Sequence, residues 1–90
     1  MNILAWKVEY TKAAREQLKK LPREIAKRIT EYMNERPINA PRQYGKAMKG
    51  NFAGLWRYRV GEYRVICSLH DEVLVIEVIR IGHRGSVYKK

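Results

Sequence analysis

Arg57, Arg59, Arg64, Arg80 and Arg84 crowd into the stretch Leu55–Tyr88, together with His83 and Tyr88. A guanidinium donates through a rigid fork that matches phosphate oxygens, and it stays charged at any working pH. In a strand over Leu55–Val60, Arg57 and Arg59 share one face, and Arg64 lies across a hairpin from them, so the three can converge on one phosphate. Cross-strand arginines repel unless an anion or a carboxylate lies between them. In the segment that follows, His83 has the chemistry to move a proton near neutral pH, Arg84 to hold a phosphate and Tyr88 to stack on a base. Lys46 and Lys49 can extend the same surface. A bland reading fits as well: arginines snorkelling over an open sheet face, with solvated lysines and a surface histidine. The chain has no HExxH motif, no phosphate-cradling glycine loop and only two histidines, His70 and His83, so neither a metal site nor a cofactor is expected.

The elements that must position these groups follow from periodicity. Leu4, Trp6, Val8 and Tyr10 alternate with Lys7 and Glu9, the period of a half-buried strand. Thr11 offers a hydroxyl N-cap to a helix reaching about Lys20, with Ala14, Leu18 and Leu21 as its apolar stripe. Pro22 suits the first turn of a second helix, whose stripe is Ile25, Ile29, Tyr32 and Met33. Arg36-Pro37 ends it, because a residue before proline is pushed out of the α region. From Pro37 to about Ala53 no period survives, which predicts a long loop or a short helical turn.

Three strands then follow. Trp56, Tyr58 and Val60 face away from Arg57 and Arg59, and Gly61-Glu62 makes a tight turn. Tyr63, Val65, Cys67 and Leu69 oppose Arg64, Ile66 and Ser68, and His70-Asp71-Glu72 turns the chain again. Val73–Ile81 is apolar on both faces apart from Glu77 and Arg80, which predicts a central strand covered on both sides. The order gives an α+β fold in one small domain over residues 1–90: an N-terminal strand, a helical hairpin, and a three-stranded antiparallel meander completing one sheet.

The composition sets bounds on function. The chain has 90 residues and a net charge of +10, and a polyanion is the commonest reason for a small domain to tolerate such self-repulsion. Nucleic acid is the first candidate, an anionic membrane surface the second, and an acidic protein partner fits either. No apolar run approaches the roughly 20 residues of a membrane helix, and the expectation is a soluble, cytoplasmic protein without a membrane partner. The single cysteine, Cys67, excludes an intramolecular disulfide and reads as a small buried hydrophobe.

The element order, the WRYRVGEYRVIC and DEVLVIEVIRIGHR stretches, and the late tyrosine together resemble the RelE branch of the RelE/ParE toxin superfamily. The sharpest parts are G-x-Y-R-V across Gly61–Val65 and I-G-H-R…V-Y across Ile81–Tyr88. The resemblance implies the toxin of a type II toxin–antitoxin system, a ribosome-dependent endoribonuclease that cuts mRNA in the A site. Its reaction would be metal-free: the ribose 2′-OH attacks the adjacent phosphate, giving a cyclic phosphate and a free 5′-OH. By resemblance Arg64 is the transition-state clamp, Arg84 a phosphate contact or proton donor, and Tyr88 the stacking residue. Arg57 and Arg59 stand where relatives place lysines, which leaves the base unassigned and makes His83 the candidate. Gly85-Ser86 replaces residues that are charged in many relatives. A cognate antitoxin is the implied partner, in a hetero-oligomer, besides the ribosome and mRNA. Two alternatives remain: a ParE-like inhibitor of DNA gyrase, and a non-catalytic RNA- or ribosome-binding module.

Overall fold

The computed structural model of the chain describes residues 5–88. Elements run in the order β1 (Lys7–Tyr10), α1 (Lys12–Lys19), α2 (Arg23–Glu35), α3 (Pro41–Tyr44), β2 (Lys46–Ala47), β3 (Trp56–Val60), β4 (Tyr63–His70) and β5 (Val75–His83), with a 3₁₀ turn at Gly50–Phe52 between β2 and β3. The strands form one mixed sheet in the order β1-β5-β4-β3-β2. β1 lies parallel to β5, and the other pairs are antiparallel. This is the expected α+β architecture with one strand more: the aperiodic stretch before β3 supplies α3 and the edge strand β2. The Leu4 end of the first expected strand lies outside the described residues.

The helices cover one face of the sheet. Ala14, Ile29 and Met33 are buried against Tyr58, Val60, Val65, Cys67, Ile76, Val78 and Ile81, with Leu18, Leu21, Ile25 and Tyr32 packed alongside. Burying such side chains fully stabilises by roughly 1.5–3 kcal/mol each. Thr11 caps α1 as expected, its hydroxyl accepting from the Ala14 amide at 3.1 Å. Pro22 is the N-cap residue of α2 rather than its first turn, and the helix begins at Arg23. Gly61 takes φ +60 in the two-residue β3–β4 turn, the left-handed value that a II′ hairpin needs at this position.

β5 starts two residues later than the hydrophobic run, because Asp71–Leu74 form the turn and Val73 stays 66% exposed. It lies centrally between β1 and β4. Where β1 stops, α1 completes the pairing of its edge. The Thr11 amide donates to Val78 O at 3.0 Å, and the Ile81 amide donates to Gln17 Oε1 at 2.7 Å. The ladder between β4 and β5 slips by one residue, from Ile66 opposite Arg80 to Cys67 opposite Val78. Ile79 is therefore the extra residue of a bulge. Without it Arg80 would fall on the core face with Ile76 and Val78. With it, Arg80 turns to the open face and Ile81 enters the core.

Candidate nucleic-acid interface

Residues directly opposite in a sheet share a face, so the register places the cations. One cross-strand row on the open face runs Lys46, Arg57, Ile66, Arg80 over four strands. The next row is Arg59, Arg64, Gly82. The sequence-predicted set of Arg57, Arg59 and Arg64 is thus brought to one face, with Lys46 beside it. Lys49 lines a shallow hollow with Lys46, Ala47, Met48 and Arg57. A second hollow of about 230 Å³, lined by Tyr32, Tyr44, Gly45, Lys46, Arg57 and Arg59, opens at the free edge of β3.

The two rows are not equally available. Arg64 is only 8% exposed, and its Nη1 donates to Gly61 O and Tyr63 O, each at 3.0 Å. It ties the β3–β4 turn together as well as contributing charge. Arg59 is exposed, whereas Arg57 is half-buried, with a solvent-shielded Nε that has no hydrogen-bond partner. Arg57 Nη1 donates to the Tyr88 hydroxyl at 3.4 Å, which carries Tyr88 onto the arginine face.

Residues 84–88 fold back over that face. The amides of Ser86 and Val87 donate to His83 O, and Val87 settles to 3% exposure over Gly82. A side chain at Gly82 would stand 3.3 Å from Val87 Cβ, so glycine makes room for this seat. Arg80 Nη1 donates to Val87 O at 2.9 Å, while its guanidinium lies 5.8 Å from the centre of the Phe52 ring. Phe52 in turn meets Tyr88 edge to face, centroids 6.0 Å apart. Phe52 is a site residue that the sequence reading missed, because it sits in a stretch without period. Arg80 entered the sequence reading as one of the five arginines and as a break in the apolar run Val73–Ile81, without a role at the site.

His83 and Arg84 are placed differently. His83 is opposite Tyr63 in register, with the two rings edge to face at 5.7 Å. Tyr63 packs against the helix-side core, so His83 leaves β5 on the face away from Arg57 and Arg64. Its Nδ1 accepts from the Gly85 amide at 3.3 Å. The structure does not bring His83 into the arginine rows. Arg84 sits at the hairpin end, where Glu62 Oε1 accepts from its Nε at 3.1 Å and Glu62 O accepts from its amide. Both side chains are exposed, and such a pair is weak enough for an incoming phosphate to replace the carboxylate.

Lys46 owes its position to a buried anchor. The Tyr58 hydroxyl donates to Pro41 O at 2.8 Å, fixing α3 against β3 just ahead of β2. Burial, the largest cause, pushes the Tyr58 phenol well up, so it stays a neutral donor. Arg42 on α3 adds a bidentate pair with Asp71 at 2.7 and 2.9 Å, and hydrogen bonding to Arg42 holds the Asp71 carboxyl below the usual range. Cys67 is buried in the core and burial drives its thiol strongly upward, which leaves an inert hydrophobe.

Comparison with known proteins identifies the family of the chain. A family model described as the ParE toxin of type II toxin–antitoxin systems matches residues 8–88. The chain is 29% identical to toxin RelG of Mycobacterium tuberculosis over 97% of this chain and all of that one. It is 32% identical to toxin RelE of the same organism, covering 91% of this chain and 84% of that one. The toxin–antitoxin complex RelBE2 of M. tuberculosis contains a chain superposing with a TM-score of 0.84 at 30% identity, over 89% of this chain and 99% of that one. A chain of the Pyrococcus horikoshii RelE–RelB complex gives 0.65 at 25% identity, over 90% and 97%. The chain therefore belongs to the ParE toxin family, within the RelE/ParE superfamily of type II toxin–antitoxin toxins.

Proposed function

We propose that this toxin is an endoribonuclease that cleaves mRNA in the ribosomal A site, acting in the cytoplasm. The observation that carries the reading is the open sheet face, where Lys46, Arg57 and Arg80 form one row, Arg59 and Arg64 the next, and Tyr88 stands over Arg57. A 2′-OH attack on the neighbouring phosphate builds negative charge on a five-coordinate phosphorus, and preorganised cations lower that barrier most. Arg57, Arg59 and Arg64 supply the field there, Lys46 and Lys49 hold flanking phosphates, and Tyr88 stacks on a base. Arg84 exchanges Glu62 for phosphate when RNA arrives.

Proton transfer is the least supplied step. Arginine almost never acts as a base, and His83 reaches the scissile group only by turning around the end of β5. If His83→Ala keeps full cleavage between pH 6 and 8, His83 has no part in the reaction. A cognate antitoxin completes the reading: several solved relatives are complexes with RelB antitoxins, and a +10 surface suits an acidic segment that masks the arginines.

The ParE description of the matching family favours a second reading, inhibition of DNA gyrase by binding. One experiment separates the two: purified protein on programmed ribosomes with labelled mRNA, beside Arg84→Ala and Tyr88→Ala, with gyrase supercoiling assayed in parallel. A-site cuts that fade in both variants establish the nuclease. Intact mRNA with inhibited gyrase establishes the second reading.

A further inference from the structure

Arg80 and Phe52 stand outside the roles just assigned, yet both touch the segment that carries Tyr88. Arg80 reaches the open face only because the Ile79 bulge turns it there. From that place it donates to Val87 O at 2.9 Å and lies 5.8 Å from the Phe52 ring centre. Phe52 comes from the 3₁₀ turn ahead of β3 and presents an edge-to-face contact to Tyr88. The Tyr88 hydroxyl accepts from Arg57. Val87 is seated over Gly82, where any side chain would crowd it. The Val87 backbone, the Tyr88 ring and the Tyr88 hydroxyl are thus each fixed by a different strand or turn.

Four contacts on one short segment exceed what packing of an exposed turn requires. A free tyrosine on a mobile segment would stack on a base only after paying its ordering cost, and one held in place pays none at the moment of binding. We propose that Arg80 and Phe52 are positioning residues, which hold Val87 and Tyr88 so that the Tyr88 ring is preorganised for a nucleotide base beside Arg57. This rests on the RNA-cleavage reading for its purpose, but not for its geometry. Neither residue needs to touch RNA.

The test uses the full-length toxin and two readouts. The first is the aromatic NMR signals of Tyr88 in the free protein, which the Phe52 ring shifts away from the positions of a solvated tyrosine. The second is single-turnover cleavage on programmed ribosomes, at saturating and at half-saturating ribosome concentration. In Arg80→Gln, which keeps the Phe52 ring, the Tyr88 signals move to solvated positions; in Phe52→Leu, which removes the ring shift itself, the nuclear Overhauser contacts between Tyr88 and Arg57 are lost; core methyl signals stay in both. The saturated rate falls on the order of 100-fold, as expected when a reacting geometry is misplaced by about an ångström, with half-saturation changed by less than about threefold. Arg80→Lys, which keeps a cation and a donor for Val87 O, restores most of the rate. Added to Tyr88→Ala, neither substitution costs anything further, since the ring they position is gone.

Unmoved Tyr88 signals in Arg80→Gln, or Tyr88–Arg57 Overhauser contacts kept in Phe52→Leu, overturn the proposal. So does a moved ring with an unchanged rate, or losses that multiply with Tyr88→Ala. Should the wild-type toxin leave mRNA intact, the nuclease reading fails, and the Tyr88 signals alone decide whether the two residues hold the segment. Should Arg80→Gln fail to fold, Phe52→Leu, at a half-buried position outside the core, decides through the Tyr88–Arg57 Overhauser contacts and the cleavage rate.

Discussion

Gly45→Ala should damage both stability and the cationic row, and its cost can be worked from the structure. Gly45 has φ −100 and ψ 174, a conformation any residue adopts, so the substitution adds no backbone strain. The added methyl would instead stand 2.8 Å from Tyr58 Cε1, 2.9 Å from Cζ and 3.1 Å from Pro41 O. Tyr58 is fully buried, and its hydroxyl is bonded to the same Pro41 carbonyl, so the ring cannot simply swing away. It must give by roughly half an ångström in a packed core, and overpacking of this kind costs about 1–3 kcal/mol. For a domain of this size the melting temperature should fall by about 4–8 °C per kcal/mol. Lys46 follows Gly45 directly, so phosphate affinity should weaken as well.

The assay is thermal and urea unfolding of Gly45→Ala, Tyr58→Phe and the double variant. Tyr58→Phe alone removes one of the two hydrogen bonds that Pro41 O accepts, the Gly45 amide keeping the other at 3.2 Å, and should cost about 0.5–1.5 kcal/mol. It also frees the ring to move, so the double variant should lose less than the sum of the singles by about 0.5 kcal/mol or more. An unchanged midpoint for Gly45→Ala, or two losses that simply add, would refute the steric coupling between α3 and β3.

Three further expectations concern the frame around the site. Thr11→Ala removes the cap of α1 and the hydroxyl's bond to Ile79 O, and should cost about 1 kcal/mol in urea unfolding, with the loss confined to stability if α1 only supports the sheet. Cys67 should resist a thiol reagent at pH 8 in the native protein and react at the rate of global opening, because burial keeps it protonated; fast labelling would show a core looser than described. Asp71→Asn should lower the melting temperature slightly at neutral pH. Arg42 depresses the Asp71 carboxyl in the folded state, so its contribution is present above the unfolded value of about 3.9 and disappears as pH falls through the lower folded value. The wild-type and Asp71→Asn melting curves should therefore converge in acid, and a gap persisting there would assign the effect to something other than this exposed pair.

Much of the frame was legible because hydrophobic period and turn chemistry agreed. Thr11, the stripes of α1 and α2, Gly61-Glu62 and the split of Trp56, Tyr58 and Val60 from Arg57 and Arg59 all appear where alternation puts them. The stretch from Pro37 to Ala53 was opaque for a physical reason. Its order comes from one tyrosine hydroxyl, one close glycine and a two-residue strand pairing with β3, none of which leaves a repeat. Phe52 and the setting of Lys46 were hidden with it.

The bulge in β5 is different, because its signal was present and went unused. Glu77 and Arg80 are three residues apart, so a regular strand must put one of them on the face that Ile76 and Val78 bury. An arginine among those side chains, with no buried carboxylate among the described residues to meet it, would be costly enough to break the ladder instead. One inserted residue at Ile79 brings Arg80, opposite Ile66, to the open face that Glu77 already holds opposite Ser68, where it pairs with His70 at 2.9 Å. It also turns Ile81 inward. The same slip that rescues the core gives the site its fourth strand of cations and brings a guanidinium within reach of Val87. An odd spacing between charged residues in an otherwise apolar strand is therefore a readable instruction for a bulge, and here it links the packing of the core to the placement of Tyr88.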